Sequence, residues 1–437
     1  MTDLIIFHGL TGNTHGLSSS ISEESRMDLS TTSGCSTEIV SPAGNFEKLT
    51  FAVKYGADAV YFGGEKFNLR MQSGNFDTAE IRKAVRFCRE RNVKTVFLLN
   101  SYLHEKDIAP TREYIEEIKD IGFDGIMLSD PGMLMLLKES GIQAQFHLST
   151  QMSTLNHLSI RFWQEMGISR IVMARETTIE EIRMIREHSG ADIEVFIHGA
   201  LCISYSGRCL LSRFLSGRDA NQGSCSHPCR WKFSLIEEQR PGNHMDIIEY
   251  ARGTEILSSK DLCLVGKVPE YVQAGVNAFK IEGRMKSLYY TANTTRIYRH
   301  AVQCAHDPEL FARHLPFWQR ELDLINHRPY TEDLFNEFEE KEFSGVPYIK
   351  KARFAGYVAG AGGDETEVYV KAFNPIRPGD LLEVIYPIHN GVIKDGNVRV
   401  KEIIDGETVT DMARPGTSCL LRFDVPVHED GIFRKGL

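Results

Sequence analysis

Short apolar runs alternate along the chain with longer segments that have helical periodicity. The runs are rich in β-branched residues, are apolar on both faces and mostly follow one another at intervals of roughly 19 to 36 residues. Strands buried on both faces and separated by helices are typical of βα units in a parallel sheet. Eight runs fit this description: EIVSPAG at Glu38, AVYFGG at Ala59, TVFLLN at Thr95, GIMLSD at Gly125, AQFHLS at Ala144, RIVMAR at Arg170, IEVFIHG at Ile193 and AFKIEG at Ala278.

Eight βα units predict an α/β fold of the (β/α)8, TIM-like barrel type over residues 38–305. The glycine loops of open doubly wound sheets are missing, since the chain has neither a P-loop nor a strand-linked G-x-G-x-x-G. The interval 200–277 between the seventh and eighth strands is too long for an ordinary connection. It predicts a cysteine-rich insert at the catalytic end of the barrel, where long loops usually carry function.

The remaining segments have a different character. Residues 11–37 contain thirteen Ser or Thr, so 1–37 is predicted to be a flexible tail. A helical connector is expected over 306–344. From 345 to 437, short strands with frequent turns predict a small C-terminal β-barrel domain.

Composition and charge limit the class of protein. Hydrophobic residues make up 42% of the 437 positions and charged residues 25%, as in globular proteins. We find neither an apolar stretch long enough for a membrane span nor a secretory signal, which predicts a cytoplasmic protein without membrane contact. The net charge of -9 argues against non-specific coating of nucleic acid. Basic patches after Cys202 and after Lys280 nevertheless permit an anionic substrate.

Four of the nine cysteines, Cys202, Cys209, Cys225 and Cys229, fall within 28 residues. Four thiolates are a complete ligand set for a [4Fe-4S] cluster or for a structural zinc ion. Zinc sites prefer pairs spaced by two to four residues, so the six residues between Cys202 and Cys209 favour iron-sulfur. Zinc and unliganded thiols remain open. A Cys202 nucleophile beside His198 would leave three cysteines unexplained.

Polar residues at the ends of the predicted strands are the catalytic candidates, because that rim forms the active-site mouth of a (β/α)8 barrel. His147 and His198 are candidate acid-base groups, since imidazoles exchange protons near neutral pH. Glu282 is a third catalytic candidate, or it orients Arg284 or Lys280. The strand ends supply Asn100, Asp130, His147 with Ser149 and Gln151, Arg175 with Glu176, His198, and Lys280 with Glu282 and Arg284.

Several sequence blocks resemble the peptidase U32 family. The longest is EVFIHGALCISYSGRCLLS, from Glu194 to Ser212, and the likeness extends from about Glu38 to the C-terminus. Within the family, the cysteine region and the short terminal domain are most similar to the tRNA hydroxylation proteins. The shorter blocks are SPAGN at Ser41, YGADAVYFGG at Tyr55, LSDPG at Leu128, HLSTQ at His147, SKDL at Ser259 and KIEGRMKS at Lys280.

The resemblance implies oxygen-independent hydroxylation of the wobble uridine of tRNA to 5-hydroxyuridine, with prephenate as the co-substrate that provides the oxygen. It also implies a [4Fe-4S] cluster on the four clustered cysteines, which acts as an electron conduit, a Lewis acid or a structural staple. The partners would be tRNA and a small dicarboxylate, and a homo-oligomer or a paralogous subunit remains open. Two alternatives are a collagenase-like U32 peptidase and a non-catalytic, zinc-containing RNA-binding protein.

The implied substrates assign further residues. Arg70 and Arg284 would bind carboxylates through bidentate hydrogen bonds. Tyr205 or Trp231 would stack on the uridine. The other substrate-binding candidates are Asn100, Asp130, Gln151 and Lys280, and the phosphate contacts are assigned to Arg208, Arg213, Arg218 and Arg230.

Overall fold

The large N-terminal domain starts at Glu38 with seven parallel strands, each followed by a helix or by the insert. A computed structural model describes residues 37–71, 74–201, 209–228, 260–332 and 349–437, together with the backbone of four short strands between 235 and 255. The 1–37 tail lies outside the described residues except for its last position. The strands are β1 (Glu38–Pro42), β2 (Ala59–Phe62), β3 (Lys94–Leu99), β4 (Gly125–Leu128), β5 (Gln145–Leu148), β6 (Arg170–Val172) and β7 (Asp192–Ala200).

Six helices connect these strands and surround the barrel, and several begin where a side chain satisfies free backbone N–H groups. Asp77 and Glu80 form a capping box at the start of α2, and Thr178 and Glu181 do the same for α6. The helices are α1 (Phe46–Lys54), α2 (Thr78–Arg89), α3 (Ile108–Ile118), α4 (Pro131–Ser140), α5 (His157–Glu165) and α6 (Ile179–His188).

The insert after β7 contributes one short helix and several short strands before the barrel closes. Its elements are α7 (Leu211–Ser216), β8 (Leu235–Ile236), β9 (His244–Met245), β10 (Ile248–Tyr250), β11 (Gly253–Glu255) and β12 (Asp261–Cys263), of which β12 pairs antiparallel with the end of β7. After α8 (Val268–Gln273), strand β13 (Ala278–Ile281) pairs in parallel with both β1 and β7. This double pairing closes an eight-stranded barrel and confirms the predicted fold.

Two long helices cover the side of the barrel next to the C-terminal domain. They are α9 (Leu288–Gln303), whose residues are almost all buried, and α10 (Pro308–Asp323). A short strand, β14 (Tyr330–Thr331), then pairs with β12. Residues 333–348, where the rest of the predicted connector falls, lie outside the described residues.

The C-terminal domain is a closed antiparallel barrel with a separate apolar core. Six strands close through the pairing of β17 with β18, and β19 extends β18 as a hairpin. Closure removes the free sheet edges that would otherwise invite aggregation. The strands are β15 (Ala352–Ala361), β16 (Glu367–Ala372), β17 (Leu381–Ile385), β18 (Gly396–Asp405), β19 (Thr408–Val409), β20 (Ser418–Phe423) and β21 (Ile432–Gly436).

Buried ion pairs dock the small barrel onto the large one. Glu321 of α10 accepts hydrogen bonds from Arg434 of β21 and from Arg296 of α9, and all three side chains are at most 1% exposed. Arg296 also pairs with Asp395, and Arg434 with the Tyr289 hydroxyl. Because a charge buried this deeply is stable only when it is paired, the contact fixes one barrel against the other.

Candidate active site at the barrel mouth

Arg284 lies just after β13 and is held by two asparagine side chains. It is 4% exposed, its Nη1 donates to Oδ1 of Asn68 at 3.1 Å, and its Nη2 donates to Oδ1 of Asn75 at 2.7 Å. Both asparagines belong to the loop between β2 and α2. Since the carboxyl ends of the parallel strands share one rim, Arg284 links two sides of the barrel mouth.

The asparagines are themselves fixed by the backbone of their loop. Oδ1 of Asn68 accepts from the Arg70 backbone N–H at 2.9 Å, and Nδ2 of Asn75 donates to the Arg70 carbonyl at 3.0 Å. A Cβ on Gly63 would lie 2.9 Å from the Asn68 side chain and 3.1 Å from Nη2 of Arg284. The close packing therefore requires glycine at position 63, and it orients the guanidinium group before any ligand binds.

Arg284 is a buried cation whose hydrogen-bond partners are neutral. No carboxylate within the described ranges forms an ion pair with it. Burial, with a smaller contribution from the charge of Arg70, lowers the pKa of its guanidinium group to about 10, against the opposing effects of Tyr61 and Glu282. The group is still charged at pH 7, so an anion bound at the mouth would supply the missing counter-charge.

Glu282 and Arg175 form a second charged pair at the mouth. Nη2 of Arg175 lies 3.6 Å from Oε2 of Glu282, and the Arg175 guanidinium stacks 4.1 Å from the centre of the Phe196 ring. The sequence analysis gave Arg284 or Lys280 as the residue that Glu282 orients in the alternative to a catalytic role. In the described structure its ion pair is with Arg175.

Three of the predicted substrate-binding residues hold the strand-end loops in place. The Asn100 Oδ1 accepts from the Leu69 N–H at 3.3 Å. Oδ1 of Asp130 caps the first turn of α4, where it accepts from the Gly132 N–H at 2.7 Å. The Gln151 side chain accepts from the Ser129 hydroxyl at 2.7 Å. These contacts position the rim, and they leave the substrate roles of the three residues as predictions.

Lys280 points into the barrel, where it pairs with Glu194. The two charged atoms are 2.7 Å apart, and the Lys280 ammonium lies 4.1 Å from the centre of the Tyr61 ring. Arg170 of β6 contacts the other oxygen of Glu194 at 3.5 Å and also pairs with Glu38 at 2.9 Å. The barrel interior therefore contains a buried charge network, which the sequence analysis had not anticipated.

His147 borders this network from β5. It is 3% exposed, and neither ring nitrogen has a hydrogen-bond partner among the described residues. A Cβ on Gly125 would lie 2.8 Å from the His147 ring, so β4 leaves room for the imidazole. Burial lowers the pKa of His147 to about 4, against the opposing effect of Glu194. The imidazole is therefore neutral at pH 7.

His198 lies near the end of β7 and packs among tyrosines. Its Nδ1 is 3.2 Å from the Tyr298 hydroxyl, and the rings of Tyr290, Tyr298 and Tyr330 are within 5.8 Å of its own ring. A register shift between β7 and β13 occurs next to this position. Burial lowers the pKa of His198 to about 3. The two predicted acid-base histidines thus lie in separate surroundings, and both are neutral at pH 7.

Two of the four clustered cysteines, Cys209 and Cys225, belong to the described residues, and both are half-buried. The Ser212 hydroxyl accepts from the backbone N–H of Ser226 at 3.0 Å, which ties the segment after Cys209 to the segment after Cys225. The His227 N–H lies 3.4 Å from the Cys225 sulfur. Cys202 and Cys229 lie outside the described residues. Among the residues that the structure describes, no group of three His, Cys, Asp or Glu side chains is arranged to hold a metal ion.

Of the four arginines predicted to contact phosphates, two belong to the described residues. Arg213 and Arg218 are exposed on the described part of the insert. Arg213 donates to the Gly217 carbonyl at 2.9 Å, and Arg218 to the Ser224 carbonyl at 3.1 Å. Arg208 and Arg230, together with Tyr205 and Trp231, lie outside the described residues.

The insert touches the loop that holds Arg284. A Cβ on Gly223, which has φ of +77°, would lie 2.4 Å from the Asn68 carbonyl oxygen, and the Met71 side chain is next to it. The segment between Cys209 and Cys225 therefore packs against the β2–α2 loop. This contact places the cysteine-bearing insert beside the loop that holds Arg284.

The fold and the site together define a class: a (β/α)8-barrel protein with a buried arginine at its mouth and a cysteine-bearing insert after the seventh strand. The chain belongs to peptidase family U32, whose pattern matches residues 44–344. The match begins just after β1 and covers the rest of the barrel, the insert and the helices that follow, which confirms the family resemblance inferred from the sequence. None of the helices in the described residues is long and apolar enough to cross a membrane.

Three relatives show the range of names in this family. The tRNA hydroxylation protein P1 of Bacillus subtilis is 34% identical, over 91% of this chain and 94% of the relative. A Porphyromonas gingivalis protein named collagenase is 32% identical, over 68% and 73%. The 23S rRNA 5-hydroxycytidine C2501 synthase of Escherichia coli is 31% identical, over 80% of this chain and 52% of the relative.

Proposed function

We propose that this protein hydroxylates a uridine of tRNA at carbon 5, at the wobble position, to form 5-hydroxyuridine. The main support is the likeness to the Bacillus subtilis tRNA hydroxylation protein P1, which extends over 94% of that protein. The Escherichia coli relative is named as a synthase of 5-hydroxycytidine. The name of a second relative therefore also refers to a pyrimidine that carries a hydroxyl group on carbon 5.

The proposed co-substrate is a small dicarboxylate, with prephenate as the candidate. Arg284 supports this choice because it is buried, charged and bonded to amide oxygens alone among the described residues. A carboxylate would accept two parallel hydrogen bonds from such a group and neutralise it. Arg70 is close enough to lower the pKa of Arg284, and its positive charge would favour a second negative group on the same ligand.

The four clustered cysteines, Cys202, Cys209, Cys225 and Cys229, would hold a [4Fe-4S] cluster. The described half of the set fits this assignment. The serine contact draws the two segments together, and the His227 N–H points to the Cys225 sulfur, as hydrogen bonds do at iron-sulfur ligands. When bound, the cluster would supply an electron-transfer or Lewis-acid centre.

The protein's own side chains would position the reactants and accept a proton. Replacement of the hydrogen on carbon 5 by a hydroxyl group is a two-electron oxidation, in which the co-substrate would supply the oxygen atom and would itself be reduced. The proton released from carbon 5 then needs an acceptor near the base. Glu282 is our candidate because its carboxylate is 21% exposed at the mouth and its ion pair with Arg175 is long. His147 and His198 remain secondary candidates, since burial keeps both imidazoles neutral and makes them weak bases.

Nucleoside mass spectrometry of tRNA from a deletion strain tests the proposal. The 5-hydroxyuridine derivatives should disappear and return when the wild-type gene is restored, whereas Arg284→Gln should restore them poorly. An unchanged nucleoside profile in the deletion strain would refute the proposed reaction.

The collagenase-like alternative is tested separately with purified protein and gelatin. Cleavage that is lost in Cys202→Ala and kept in Arg284→Gln would favour a thiol peptidase. For the non-catalytic alternative, metal analysis of protein purified without air is decisive, because zinc without iron would support a structural role.

A further inference from the structure

Helix α7 and the residue that caps its start present two large apolar side chains to solvent. Phe214 is 85% exposed, more than any other large hydrophobic side chain in the described part of the chain, and Leu210 is 70% exposed. Residues four apart lie on the same face of a helix. Exposure of an aromatic ring to water is unfavourable, so a surface of this kind often marks a binding site.

The other face of α7 is fixed to the cysteine-bearing segment. Ser212 is fully buried, and its hydroxyl lies 3.0 Å from both the backbone nitrogen and the hydroxyl of Ser226. The Ser216 hydroxyl lies 2.7 Å from the Ser226 hydroxyl. Because both serines bind the residue that follows Cys225, the orientation of Phe214 is determined by the fold of the insert.

Two exposed arginines accompany the aromatic ring. Arg213 and Arg218 are both anchored to carbonyl groups of the insert, at the distances given above. Together with Leu210 and Phe214 they form what we call the Phe214 surface. The packing of Gly223 against Asn68 ties the same insert to the loop that holds Arg284.

We infer that the Phe214 surface binds the single-stranded loop of the substrate tRNA, with Phe214 stacked on an unpaired base and Arg213 and Arg218 on phosphates. The inference rests on the proposed function and specifies how its RNA substrate is bound. Bases that are free of a duplex stack on exposed aromatic rings, and neighbouring arginines neutralise the backbone. The combination of ring and positive charge favours RNA over an apolar protein partner.

Fluorescence anisotropy with a labelled anticodon-arm hairpin measures this binding without catalysis. Phe214→Ala should weaken the affinity roughly 5- to 150-fold, while Phe214→Trp should retain it. Phe162→Ala is the matched control, because Phe162 is an exposed aromatic on α5 and is 53% exposed. Arg213→Gln and Arg218→Gln should each reduce the slope of log Kd against log salt by about 0.7.

Several results would overturn the inference. These are failure of the wild-type protein to bind the hairpin, an unchanged affinity in Phe214→Ala, or wild-type affinity in Phe214→Leu, which keeps an apolar side chain without a ring. If light scattering shows that Phe214→Ala separates a dimer at unchanged RNA affinity, the surface belongs to a second copy of the chain instead. Absence of 5-hydroxyuridine with the wild-type protein would refute the proposed function and would leave these binding comparisons interpretable.

Discussion

Arg434 and Glu321 form a two-pronged ion pair between the last strand of the chain and helix α10. Nη1 and Nη2 of Arg434 each donate to one carboxylate oxygen of Glu321 at 2.7 Å, and each side chain is 1% exposed. Arg296 shares the same carboxylate at 2.6 Å. Glu321 therefore bridges two buried arginines, each of which has a second carboxylate partner, Asp395 for Arg296 and Glu383 for Arg434. The cluster holds the C-terminal barrel on the large one.

Neutralising this carboxylate should destabilise the protein strongly. Glu321→Gln removes the carboxylate that Arg296 and Arg434 share and leaves each arginine with one acidic partner, so we expect a loss of about 1.5 to 3 kcal/mol in the free energy of unfolding. Urea denaturation measures this loss. Glu402→Gln is the control, because Glu402 pairs with Arg422 at the surface, where such pairs contribute about 0 to 1 kcal/mol. Equal effects of the two substitutions would contradict the assigned role of Glu321.

The buried histidines predict a loss of stability in mild acid. Burial lowers the pKa of His147 to about 4 and that of His198 to about 3, whereas both titrate near 6.5 in the unfolded chain. As the pH falls below about 6.5, the histidines of the unfolded state bind protons before those of the folded state do. The stability that the two neutral histidines contribute is therefore lost as the pH falls from about 6.5 towards their folded-state pKa values. Each histidine should lower the free energy of unfolding by about 2 kcal/mol between pH 7 and pH 5.

Single substitutions separate this effect from the titration of carboxylates. In His147→Gln and in His198→Gln, the loss of stability between pH 7 and pH 5 should be smaller than in the wild-type protein by about 2 kcal/mol. Denaturant titrations at the two pH values provide the comparison. If both variants keep the full pH dependence, the two imidazoles titrate in the native state as they do in the unfolded chain, which would contradict the lowered pKa values.

The barrel strands could be predicted because each is buried on both faces and therefore appears as an apolar run. Strand β21 was not predicted, since IFRKG contains only two apolar residues before its charged positions. Arg434 is buried there because Glu321, 113 residues away in sequence, and Glu383 neutralise it. Local patterns contain no information about such a distant partner.

The candidate active site could be predicted only in part from the sequence. Arg284 was found because strand ends form the mouth of a barrel, but Asn68 and Asn75 were not, since neutral amides in a loop follow no periodic pattern. The pair of Lys280 and Glu194 had an available signal. Opposite charges occur within the apolar runs of two strands that are neighbours in a closed barrel.

Arg284 should control the affinity for the dicarboxylate more than the rate of the reaction. Loss of a charged, two-pronged contact in Arg284→Gln should raise the KM for the co-substrate roughly 10- to 150-fold. Arg284→Lys should fall in between, because lysine keeps the charge without the planar geometry. Steady-state kinetics with 5-hydroxyuridine as the measured product test this, with the exposed Arg353→Gln as the control. An unchanged KM in Arg284→Gln would remove the anion site from the proposal.

The cysteines of the insert should determine the iron content of the protein. Cys209→Ser and Cys225→Ser should each lower iron and acid-labile sulfide well below the wild-type amount, because a [4Fe-4S] cluster requires its thiolate ligands. Cys419→Ala is the matched control, since Cys419 is buried in the C-terminal barrel far along the chain from the insert. Metal analysis and absorption spectra of protein purified without air provide the measurement. Full iron content in both serine variants would exclude these two thiols as ligands, and zinc without iron in the wild-type protein would assign the four cysteines to a structural site instead.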